Sequence, residues 1–115
     1  MGNSKITCDN KIVNFDLNTN SSVTGGVSVT TFGRVGTLTG ILRYPGAGTG
    51  LMLAAMPDNL RQYAPSNQIN LSCNFYSNGQ GAEAFLNSDG QVLVNQPVGG
   101  VDLKLSGTWV IQKAL

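Results

Sequence analysis

The chain has 115 residues, of which 11% are charged, and seven basic against six acidic side chains give a net charge of +1. That length holds one compact domain, and 41% hydrophobic residues suffice for a packed core. Sparse, balanced charge excludes a footprint for duplex nucleic acid, and the absence of histidine excludes Ser-His-Asp and Cys-His catalysis and most zinc sites. No apolar run approaches the ~20 residues of a membrane-spanning helix, and Met1–Lys11 has no signal-peptide h-region. Two cysteines, Cys8 and Cys73, cannot make a disulfide framework, although a single bridge between them stays open.

In chain order, Asp9-Asn10 reads as a turn between two short strands. Val13, Phe15 and Leu17 then alternate with Ile12, Asn14 and Asp16. Asn18–Gly26 is small and polar, which suggests a linker. The expected division is therefore an N-terminal hairpin and linker extension over 1–25 and a β-domain over 26–115. Gly33-Arg34 suits a type II′ turn between Val27–Phe32 and Val35–Tyr44. Pro45–Gly50 is a Gly/Pro loop.

Leu51–Met56 is apolar on both faces. Either it is a central strand covered on both sides, or Leu51, Leu53 and Ala55 face the core while Met52, Ala54 and Met56 face another subunit. The second reading makes Met52 and Met56 the expected interface residues. Pro57–Asn67 has room for one helical turn capped by Asp58.

Ile69, Leu71, Cys73 and Phe75 interleave with Asn70, Ser72, Asn74 and Tyr76, as in a half-buried strand. Ser77-Asn78-Gly79 and Ser88-Asp89-Gly90 separate strand runs at 68–76, 82–87 and 91–95. After the Gly/Pro loop Gln96–Gly100, the last strand sets Val101, Leu103, Leu105, Trp109 and Ile111 against Asp102, Lys104, Ser106, Thr108 and Gln112. The whole reads as an almost helix-free antiparallel β-domain.

Chemistry-bearing patterns are sparse. Nothing in the spacing of Asp9, Asp16, Asp58, Glu83, Asp89 and Asp102 singles out a glycosidase pair, and Asn78-Gly79-Gln80-Gly81 precedes a strand, unlike a phosphate loop. No catalysis, cofactor or metal is expected. Trp109 shares the phase of Leu105 and Ile111, which favours a core position over a sugar platform. Tyr76 and Asn74 lie on the polar side of their strand, and Arg61 and Tyr63 in the long loop. Together they offer donors, acceptors and aromatic faces suited to a neutral or phosphate-decorated saccharide, while each taken singly suits an ordinary wet surface; the competing reading packs Tyr76 at a protomer contact and puts sugar near Glu83 or Asp89.

A longer pattern emerges from residue 26 to residue 112. Paired strands (Val27–Tyr44) and a Gly loop precede Leu53-Ala54-Ala55-Met56-Pro57, Leu60-Arg61 and Pro65. An alternating strand, an Asn-Gly loop and Leu86-Asn87-Ser88-Asp89-Gly90-Gln91-Val92 follow, and a strand through Leu105-Ser106-Gly107-Thr108-Trp109 closes the series. This order resembles the C-terminal head domain of receptor-binding and baseplate proteins of siphophages infecting Gram-positive bacteria, above all the lactococcal type. The resemblance implies a small Greek-key β-barrel or sandwich, a homotrimer, and a place at the virion tail tip or baseplate beside other tail proteins. It implies host adhesion through a cell-wall saccharide held between protomers. The histidine of some family sites has no counterpart here, and no binding residue is carried over. The alternative is a structural tail-tip or decoration protein that binds no sugar.

Overall fold

Period-2 alternation broken by turn residues yields nine antiparallel strands in the computed structural model, which describes residues 11–44, 51–95 and 100–111. They are β1 (Ile12–Asp16), β2 (Asn18–Thr19), β3 (Thr24–Phe32), β4 (Val35–Tyr44), β5 (Leu51–Ala55), β6 (Ile69–Phe75), β7 (Ala84–Leu86), β8 (Gln91–Val94) and β9 (Val101–Val110). Their hydrogen-bonded order is β1-β3-β4-β9-β6-β7-β8-β5-β2. Strands β6, β7 and β8 run consecutively and β9 returns beside β6, which is a Greek key.

Two segments turn this sheet into a nearly closed barrel. The N-terminal part of β6 pairs with β7 and its C-terminal part with β9, so β6 forms a corner. The other corner is Leu17. β1 and β2 occupy opposite ends of the strand order, yet only Leu17 separates them in the chain. Its amide donates to the Val27 carbonyl at 3.0 Å and its side chain is buried. One stretch of eight residues therefore pairs with β3 through its first five residues and with β5 through its last two, covering part of each of those edges.

The inward rows are apolar. Val27, Val29, Leu38, Leu42, Leu103, Leu105 and Cys73 come from the β3-β4-β9-β6 side, and Leu53, Leu86, Val92 and Val94 from the other. Glycine makes room for the largest side chain. Gly36 sits opposite Trp109, and a Cβ there would lie 2.6 Å from the indole ring. Trp109 is buried, as its phase predicts, and its Nε1 donates to the Tyr63 carbonyl at 2.8 Å. The Gly33-Arg34 turn joins β3 to β4 with Gly33 at φ 59°, as a primed hairpin turn requires.

Several expectations change. The boundary between residues 25 and 26 falls inside β3, and residues 12–25 supply β1, β2 and the buried Leu17 and Val23. The small polar residues of Asn18–Gly26 serve a corner and a tight turn, closed by the Val23 amide on the Asn20 carbonyl at 2.9 Å. In β5, the register shifts between Met52 and Ala54, so Leu53 and Ala54 are both buried. This bulge ends the alternation. Met56 is consequently a core residue, 1% exposed and packed on Gly90, and it cannot supply a subunit contact; Met52 stays 36% exposed. The long loop holds a 3-10 helix (Asp58–Tyr63) without a side-chain cap, and Asp58 pairs with Arg61 at 2.9 Å instead. Cys8, the Asp9-Asn10 turn, most of the Gln96–Gly100 loop and the Pro45–Gly50 loop lie outside the described residues.

Two outcomes follow from this packing. Met56→Ala should cost about 2–5 kcal/mol in urea unfolding, and Met52→Ala less than about 1 kcal/mol. Burial pushes the Cys73 thiol up to about 11 from its usual 9.0. Below pH 9 the thiol is neutral in both folded and unfolded chains, so this contribution to stability is complete there. It is lost as pH rises from 9 towards 11, where the unfolded chain ionises first. Unfolding free energy measured across that window should fall, and the fall should shrink in Cys73→Ala.

Candidate functional site

The outward side of β6 carries Asn70, Ser72 and Asn74, with Tyr76 just beyond its end. Tyr76 is 62% exposed, and its amide donates to the Asp102 carbonyl at 2.8 Å. That bond fixes it beside the start of β9. There Asp102 faces Arg43 of β4, with Nη1 and Oδ1 3.5 Å apart and both side chains about half exposed. Lys104 lies in register between Ile41 and Asn74. An exposed aromatic ring, an ion pair, an ammonium group and an amide thus share one end of the β3-β4-β9-β6 outer face. The loose ion pair adds little stability, so its donors and acceptors remain open to water and to ligands.

The turn after β6 is held by its own polar groups. Asn74 Nδ2 donates to the Gly79 carbonyl at 3.2 Å, and Asn78 Oδ1 accepts from the Gln80 amide at 2.9 Å. Asn74 therefore shapes the turn that carries Tyr76 as well as lining the surface.

Arg61 and Tyr63 lie elsewhere. The Tyr63 carbonyl receives the Trp109 indole N–H, and its ring packs on Phe15 at 5.8 Å between centroids. Tyr63 is half-buried against the core, and Arg61 is engaged by Asp58. Trp109 and Asp102 are seven residues apart on β9, about 23 Å at 3.3 Å per residue. The expected cleft combining Tyr76 and Asn74 with Arg61 and Tyr63 does not form within one chain. The loop joins β6 at its Ile69 end, whereas Tyr76 follows its Phe75 end.

Sequence reasoning missed Arg43, Asp102 and Lys104 as neighbours of Tyr76. Their outward phase is visible in the sequence, but their meeting depends on β9 lying between β4 and β6. It also missed an apolar row at the opposite end of the same face. Ile12 faces Phe32, Phe32 faces Val35 and Val35 faces Val110, all between 46% and 58% exposed. Contiguous exposed apolar side chains of this kind mark contact surfaces. Among the described residues no group of three or more His, Cys, Asp or Glu side chains gathers to hold a metal ion.

No family model and no curated protein matches the sequence. Solved structures do match the fold. The receptor binding protein gp15 of Listeria phage PSA superposes with a TM-score of 0.67 at 17% identity, over 91% of this chain and 68% of that one. The head domain of lactococcal phage bIL170 superposes with a TM-score of 0.67 at 16% identity, over 88% of this chain and 99% of that one. The chain therefore carries the fold seen in the receptor-binding head domains of Listeria and lactococcal phages.

Proposed function

We propose that this chain is a host-adhesion domain of a phage tail, placed at the tail tip or baseplate, that recognises a cell-wall saccharide on a Gram-positive bacterium. The observation that carries this reading is the fold likeness to two phage receptor-binding structures over 91% and 88% of this chain. The surface chemistry supports it. Tyr76 offers a ring face for a sugar, Asp102 and Asn74 offer acceptors, and Arg43 and Lys104 offer donors that also suit a phosphate group. The residues point to recognition without catalysis.

Assembly as a homotrimer belongs to the same proposal. With Met56 inside the barrel, the surface available to a subunit contact is Met52 and the row Ile12, Phe32, Val35 and Val110. The same row supports a second reading, a structural tail component that docks on another tail protein and binds no sugar.

Titration with wall polysaccharide from a Gram-positive host strain separates these readings. Adhesion predicts saturable binding, with Tyr76→Ala weaker by about fivefold per site and Arg61→Ala unchanged. Absence of binding to walls of every strain that adsorbs the parent phage overturns the adhesin reading. Light scattering should give the mass of a trimer for the wild type and of a monomer for Phe32→Asp. A monomeric wild type contradicts the trimer.

A further inference from the structure

A second surface feature lies on the same outer face as Tyr76, between the β1–β2 corner and the β3–β4 ribbon. It is an open groove of about 510 Å3, within the size range of small-ligand sites. Asp16 and Thr19 line it from the corner, Ser28 and Thr39 from the ribbon, and Gly26 and Gly40 contribute bare backbone. Asp16 faces Ser28 and Ser28 faces Thr39 in register, which lines up one carboxylate and two hydroxyls on adjacent strands.

Glycine sets the close strand contact beside the groove. Gly25 has φ +91°, and a Cβ there would lie 2.3 Å from the Ile41 carbonyl oxygen. A Cβ on Gly40 would lie 2.3 Å from the Gly26 carbonyl oxygen. The two strands press together at these positions as only glycine permits. Gly26 differs: nothing lies within 4 Å of its Cβ position. A Cβ placed there would stand in open space.

The lining selects its ligand. A carboxylate accepts hydrogen bonds from adjacent hydroxyls, and serine and threonine either donate or accept. Among the described residues no Lys or Arg lines the groove. A phosphate or carboxylate group would meet the Asp16 charge with no cation to offset it. Gly26 also lies in register with Ile41, Lys104 and Asn74. Those three strand spacings amount to about 14 Å, so the groove and the Tyr76 cluster lie along one transverse track. We propose that the groove is a subsite for an uncharged, hydroxyl-rich sugar unit of the polysaccharide, held by Asp16, Ser28 and Thr39; this rests on the adhesin reading.

The test compares wild type, Gly26→Phe, Asp16→Asn and Tyr76→Ala by calorimetric titration. The probes are intact wall polysaccharide and the same polysaccharide after chemical removal of its phosphate groups. The wild type should bind both. Gly26→Phe starts from a Cβ in open space and sets its ring across the groove, so it should unfold near the wild-type urea midpoint and bind both probes at least tenfold more weakly. Asp16→Asn keeps the shape and should lose about fivefold on both. Tyr76→Ala should retain more affinity for the dephosphorylated probe than Gly26→Phe does. Wild-type binding by both Gly26→Phe and Asp16→Asn overturns the subsite and leaves the adhesin reading standing. Loss of all wild-type binding on dephosphorylation also overturns the subsite. A wild type that binds neither probe overturns both. If Gly26→Phe does not fold, the Asp16→Asn result decides.

Discussion

The barrel depends on one segment, Ile12–Thr19, holding two edges at once. Its first part bonds to β3, its last two residues to β5, and Leu17 turns the corner between them. Without that corner, β3 and β5 would each present an unpaired edge, the arrangement that favours edge-to-edge aggregation. The surface features follow from it. Asp16 and Thr19 flank the corner and wall the groove, while Ile12 begins the apolar row.

The outer face of β1-β3-β4-β9-β6 is graded along the strands. An apolar row from Ile12 to Val110 occupies one end. Hydroxyls, an amide and the Asp16 carboxylate fill the middle, in register through Asn14, Thr30, Thr37 and Thr108 and then through Asp16, Ser28, Thr39, Ser106 and Ser72. The charged pair Arg43–Asp102 and Tyr76 close the other end. Such a gradient suits a domain that contacts protein with one end and a hydrated ligand with the rest. Apolar burial is non-directional and favours assembly, whereas hydroxyl and amide rows make directional contacts that exchange readily with water.

Much of the fold was legible because burial alternates from Ile69 to Cys73 in β6, and the buried Leu103, Leu105 and Trp109 of β9 follow the sequence phase. The bulge at Leu53 was not legible, since an extra residue in one strand only shows against its partner β8. The Leu17 corner was not legible either, because small polar residues look alike in a linker and a turn. At the site, the outward phase of Tyr76 and Asn74 was readable, but their partners Arg43 and Asp102 required the strand order. Separation of Tyr76 from Arg61 follows from strand length alone: seven residues of β9 outrun any side chain.

The central claim is that the outer face of β3, β4, β9 and β6 meets the host surface. Amide NMR of the isotopically labelled wild type during addition of host wall polysaccharide tests this most directly. The account predicts shift changes that begin at Gly26 and Thr39, pass through Lys104 and reach Asn74 and Tyr76, with Met52, Phe85 and Leu93 on the opposite face unmoved. Changes confined to that opposite face, or none at saturating polysaccharide, would contradict it.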